Sequence, residues 1–180
     1  MVALLRGINV GGNRPVPMAA LCAAAEADGL RGVRSYIQSG NLVFEAGRFA
    51  PEKVTAILED CIHETFGFPV DVVVRTSAQW AAYAKGSPFP GAAKERPALL
   101  QLALSKLPLN KDVVAKVSER AVNGEKVKSS GDALWIDFAK SVGKSKITPA
   151  VLDKAAGSPV TMRNWNTVLK LQEMLTTGPD

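Results

Sequence analysis

One order of elements can be read twice along this chain, with matching elements roughly 90 to 95 positions apart. Residues 2–9 are a short apolar run, broken by Val10-Gly11-Gly12-Asn13. Met18, Leu21, Cys22 and Ala25 then recur at helical spacing, and Gly29 stands where a helix stops. Residues 33–38 and 42–45 read as two strands joined at Ser39-Gly40-Asn41. Pro51 opens a helix with apolar Val54, Ile57, Leu58, Cys61 and Ile62, and residues 70–75 form the next strand. Ser77 can cap a further helix over residues 79–85. This β-α-β-β-α-β order predicts an α+β ferredoxin-like plait.

The Pro- and Gly-rich stretch at about 86–97 reads as a linker, after which the pattern resumes. Strands are predicted at residues 98–105, 126–129, 134–138 and 160–163, with a tight turn at Gly131-Asp132. Helices are predicted at residues 110–121, 149–155 and 165–175. The expectation is two tandem ferredoxin-like plaits, residues 1–90 and 91–180, each followed by a helix.

Charge divides the two halves. Residues 1–90 hold eight Lys/Arg and eight Asp/Glu, whereas residues 91–180 hold fourteen and nine. The whole net charge of +5 therefore lies in the second half. Between Lys140 and Lys170 the only acid is Asp153. A surface of one sign concentrates anions, although it also serves solubility alone. No apolar run approaches the roughly 20 residues of a membrane span, so no membrane is expected. With a strand pattern starting at Val2 no leader is expected, and two cysteines make no disulfide framework. A cytoplasmic protein is expected.

Most catalytic constellations fail. His63 is the only histidine and falls off the apolar face of its helix, while Cys22 and Cys61 fall on core-facing stripes. No metal site and no cofactor are expected from these residues. No serine stands in G-x-S-x-G, and a Ser-His-Asp triad would have to use His63. Gly7-Ile8-Asn9-Val10-Gly11-Gly12 matches neither phosphate-loop signature. It could present N–H groups to an anion, or it could be a strand-to-helix connection with positive φ at Gly11 and Gly12. The first strand has no aromatic and the third offers only Phe44, so the base-stacking signature of RNA-recognition motifs is absent.

Three polar clusters remain. Arg6 and Asn9 interrupt the first strand, and Arg14 follows the glycines. Tyr36, Gln38, Ser39 and Asn41 crowd the hairpin. Arg163-Asn164-Trp165-Asn166-Thr167 opens the last helix, with Lys170 one turn on. Asn164 is a good N-cap, and a helix start beside Arg163 has the makings of an anion site.

The stretches L-L-R-G-I-N-V-G-G-N (residues 4–13), Y-I-Q-S-G-N-L-V-F (36–44), S-K-I-T (145–148) and T-M-R-N-W-N-T-V-L-K-L (161–171) resemble the domain of unknown function (DUF) 1697 family. The resemblance implies a bacterial cytoplasmic protein with tandem ferredoxin-like subdomains, and it implies no activity. The family pattern tends to have Arg where this chain has Lys144. Lys lacks the guanidinium fork, so Lys146 is the better ligand candidate.

The expected function is a binding module for a phosphate-bearing ligand, nucleic acid or nucleotide, using the basic second half. Its candidate contacts are Arg6, Asn9, Gly11, Gly12, Arg14, Gln38, Ser39, Asn41, Lys146, Arg163, Asn164, Asn166 and Lys170. One alternative is an enzyme acting on a small anionic substrate between the plaits, with Tyr36, Lys146 or Lys170 handling protons. Another is a protein-interaction module built on the hairpin edge.

Overall fold

The computed structural model describes residues 1–177. Along the chain run β1 (Val2–Leu5), α1 (Met18–Ala27), β2 (Arg31–Tyr36), β3 (Asn41–Glu45), α2 (Pro51–Phe66), β4 (Val72–Arg75) and α3 (Ser77–Ala84). They are followed by α4 (Pro90–Glu95), β5 (Leu100–Ser105), α5 (Val113–Ser118), β6 (Lys126–Ser130), β7 (Ala133–Asp137), α6 (Pro149–Ala156), β8 (Val160–Asn164) and α7 (Trp165–Thr176). The fold is mixed α+β, with two four-stranded antiparallel sheets and seven helices among the described residues.

The first sheet is ordered β2-β3-β1-β4 and the second β6-β7-β5-β8, so each strand has its counterpart at the same place in the other sheet. β1 is central, pairing Leu4 with Asn41 on one side and with Val73 on the other. The strand period of two sends Ala3, Leu5, Leu42, Phe44, Val72 and Val74 to one face. There they form one core with Leu21 and Ala25 of α1 and Val54, Leu58 and Ile62 of α2. Their neighbours Val2, Leu4, Val43 and Val73 point to the opposite face and are buried as well. Fully burying each such side chain is worth about 1.5–3 kcal/mol. In the second sheet Ala103, Leu134 and Ile136, with Phe138 just past β7, pack with Val113, Val117, Leu152 and Ala155.

The chain divides into two compact units. One contains Met1–Ala81 and the stretch from Leu171 onward, and the other contains Ala82–Lys170. The last helix is thus shared, with Trp165 to Lys170 in the second unit and its remaining residues in the first. There Arg34 Nη2 donates to the Met174 carbonyl at 2.6 Å, a cation on the last turn of a helix.

Several local expectations change. The stretch at 86–97 contains α4, whose Pro90 suits a first helical position because no N–H is needed there. The cap of α3 is Thr76, not Ser77. Gln79 N donates to Thr76 Oγ1 at 3.1 Å while Thr76 N donates to Gln79 Oε1 at 2.9 Å, a reciprocal capping box. The turn between β2 and β3 spans residues 37–40 instead of Ser39-Gly40-Asn41, because Asn41 already pairs with Tyr36. α5 is shorter than the predicted residues 110–121. The turn at Gly131-Asp132 stands as expected, with Gly131 at φ 60° between paired Ser130 and Ala133.

Candidate functional site

In the first unit two of the polar clusters meet. β1 ends at Leu5, and the chain reaches α1 through a loop over residues 6–17. Asn9 holds that loop. Its Nδ2 donates to the Val16 carbonyl at 3.0 Å and its Oδ1 accepts from Val16 N at 2.8 Å. The same Nδ2 donates to the Gln38 carbonyl at 2.8 Å, which ties the loop to the β2–β3 turn. Gly11 and Gly12, at φ 58° and 78°, form the tight turn between Val10 and Asn13, closed by Asn13 N on the Val10 carbonyl at 3.0 Å. Two successive positive φ values are what such a turn requires. A Cβ on either would meet nothing within 4 Å, so backbone conformation calls for these glycines.

The turn over residues 37–40 is fixed from below. Asn41 is fully buried, and its Nδ2 donates to the Tyr36 carbonyl at 2.9 Å and Ser39 Oγ at 3.0 Å. Gly40 lets Leu5 N reach its carbonyl at 2.8 Å. A Cβ on Gly40 would fall 2.7 Å from Leu5 Cβ and 2.9 Å from Ile8 Cδ1. Asn9, Arg14 and Ile37 are three of the four non-glycine residues with positive φ among those described. For β-branched Ile37, at 49°, that conformation is an outlier.

Arg6 and Arg14 line a groove of about 470 Å³ with Glu59, Asp60, His63 and Asp71. Glu59 Oε1 accepts from Val72 N at 2.9 Å, and Arg6 N donates to the Asp71 carbonyl at 3.0 Å. His63 is exposed in the last turn of α2, off the apolar face as expected, and no local spacing announces that it shares a groove with Arg14. Of the first unit's candidate residues, Asn9, Ser39 and Asn41 carry out loop construction with their side chains, Gln38 does so with its carbonyl, and Arg6 and Arg14 face the groove.

The second unit uses its candidates differently. Asn164 Oδ1 accepts from Thr167 N at 2.9 Å and caps α7. Trp165 is buried with its ring centroid 5.6 Å from that of Trp135. Arg163 Nη1 donates to Thr161 Oγ1 and to the Met162 carbonyl, both at 2.8 Å. Burial of the guanidinium brings its pKa down to about 10, so it remains a cation at neutral pH. Asn166 and Lys146 are exposed, and Lys170 is half-buried. In the S-K-I-T stretch Ser145 Oγ donates to Glu125 Oε1 at 2.5 Å and accepts from Ile147 N at 3.1 Å. Desolvation of Glu125 opposes its ionisation, but this bond and its neighbours outweigh it and hold the carboxyl below its ordinary range.

Two features of this unit escaped the sequence reading. Arg96 grips Asp137, at 2.6 Å from Nη2 and 3.0 Å from Nε, and Asp137 is almost wholly buried. That fork holds the Asp137 carboxyl below its usual range and Arg96 above its own. Nothing in the spacing of residues 96 and 137 announces the pair. Lys116 and Arg120, near the end of α5, line a groove of about 340 Å³ with Lys154, Glu119, Val151 and Ala155. Lys116 is paired with Asp112 at 2.7 Å.

Burial pushes the Cys61 thiol up to about 11, so it stays protonated at neutral pH. Among the described residues no three His, Cys, Asp or Glu side chains gather as a metal site, and no helix is long and apolar enough to cross a membrane.

Two like-ordered antiparallel sheets, with several polar residues of the distinctive motifs engaged in shaping loops, define a mixed α+β fold. The chain belongs to the DUF1697 family, described as a protein of unknown function, whose model matches residues 1–135. It is similar in structure to the conserved bacterial protein SP0830 from Streptococcus pneumoniae. The TM-score is 0.75 at 25% identity, over 97% of each chain. No curated protein matches the sequence.

Proposed function

We propose that this protein is a cytoplasmic binding module for a phosphate-bearing ligand, nucleic acid or nucleotide, and that the basic half of the chain supplies the contact. The observation that carries the reading is the groove between α5 and α6. Arg120 and Lys154 line it with Lys116, which is paired with Asp112, and with one carboxylate, Glu119, beside apolar Val151 and Ala155. Such a site attracts phosphate by charge and offers the rest of the ligand an apolar surface. Arg163 and Asn164 support the helix start in this reading instead of touching ligand, and exposed Lys146 adds to the field. The strand orders of the two sheets favour a ferredoxin-like plait as the frame of each unit.

The test is fluorescence anisotropy with a labelled single-stranded oligonucleotide and, separately, a labelled nucleoside triphosphate, across a salt series. Affinity should fall as salt rises, because counterions are released on binding. Arg120→Ala with Lys154→Ala should weaken binding by about tenfold or more. Binding of the oligonucleotide alone would identify a nucleic-acid module, and binding of both a nucleotide pocket. Salt-independent binding, or a double variant that binds like the parent, would overturn the reading.

A further inference from the structure

The groove of the first unit offers a different chemistry, and the inference from it stands independently of the phosphate reading. Its six charged or titratable groups are Arg6, Arg14, Glu59, Asp60, His63 and Asp71. Arg6, Glu59 and Asp71 are engaged with protein neighbours. The side chains of Arg14 and Asp60 are not. They line one space, yet neither makes an ion pair with the other or with any other described residue. His63 lies three residues beyond Asp60, on the same face of α2.

An unpaired guanidinium and an unpaired carboxylate facing a shared groove of about 470 Å³ discriminate by ligand charge. A simple anion would meet Arg14 but also the carboxylates of Glu59, Asp60 and Asp71. A simple cation would meet Asp60 but also two guanidinium groups. A small molecule with both charges satisfies each end and leaves no like charge opposed. The loop is also built to hold Arg14 still. Asn9 N donates to the Arg14 carbonyl at 3.1 Å, and Asn9 Oδ1 takes Val16 N two residues later. Arg14 itself is kept at φ 49°, a strained conformation that the surrounding hydrogen bonds impose. A fixed backbone lowers the entropy lost on binding.

We propose that this groove binds a small zwitterion of the amino-acid type, its acid group on Arg14 and its ammonium group on Asp60. His63 lines the groove beside the ammonium end. Titration of the full chain, followed by amide NMR and calorimetry, tests this with γ-aminobutyrate and ε-aminocaproate as zwitterions. Butyrate, butylammonium and inorganic phosphate serve as singly signed probes. A zwitterion should move the amides of Arg14, Asp60 and His63 and bind about tenfold or more tightly than any singly signed probe. Arg14→Gln and Asp60→Asn, both at exposed positions, should each reduce it to the level of those probes. Arg120→Ala with Lys154→Ala should leave it unchanged, which separates this site from the phosphate groove. Equal binding of phosphate or butyrate, shifts confined to other residues, or no shift up to the solubility limit would overturn the proposal.

Discussion

The two units carry the same strand order but close their hairpins in different ways. In the second unit the two residues Gly131-Asp132 join Ser130 to Ala133, with a positive φ only where a glycine stands. In the first, four residues separate Tyr36 from Asn41, Ile37 takes a left-handed conformation, and Gly40 is wedged against Leu5 and Ile8. The second turn is the economical solution. The first needs Asn9 and Asn41 to hold it, and it lies beside the loop that presents Arg14. Strain of this kind persists only where neighbouring structure over-determines it, and it collects at functional sites. Such strain marks this loop pair, as well as the basic half, as a place for a ligand.

Substitution can break that comparison. Gly40→Val should be the most damaging change, at about 3 kcal/mol or more, because left-handed strain and overpacking add. Gly131→Ala meets nothing within 4 Å and should cost about 1–2 kcal/mol from strain alone. Urea midpoints compare the two, and equal losses would show that the hairpins are held alike. Asn9→Ala removes three hydrogen bonds and should cost about 2–3 kcal/mol, with faster amide exchange across residues 9–16 and 37–40. Asn164→Ala removes one cap and should cost about 1 kcal/mol, with exchange confined to the start of α7.

Arg96 lowers the folded-state pKa of Asp137, so its stabilisation is complete above the unfolded carboxyl pKa of about 3.9. It is lost as pH falls through the depressed folded value. Arg96→Gln should therefore be less stable than the parent at neutral pH, and the two should converge in acid. A deficit independent of pH would assign the loss to packing instead.

The periodic elements were legible because burial imposes a period. β1, α1, α2, the hairpins and the closing helix follow apolar spacing that survives in the sequence. α4 was hidden because Pro and Gly mark linkers and helix starts alike, and Pro90 is the latter. Of the site, Gly11 and Gly12 were read with the positive φ they adopt, and Asn164 as the cap it is. Arg163 was misleading in isolation, since composition cannot tell an arginine that packs inward from one that meets solvent. The Arg14–Asp60–His63 groove was invisible because it joins a loop to the far end of a helix, a relation with no local spacing to betray it.

The division of α7 between the two units has a consequence for the order of events at the ribosome. The first unit includes Met1–Ala81 and the chain from Leu171 onward, so it waits for its last piece until all of the second unit has been translated. Arg34 meets the Met174 carbonyl across 140 positions of sequence. The second unit, continuous from Ala82 to Lys170, has its full complement of residues sooner. Released chains that end at Lys170 should protect the second unit from protease while leaving the first more open. In such a chain, the part made first is the part finished last.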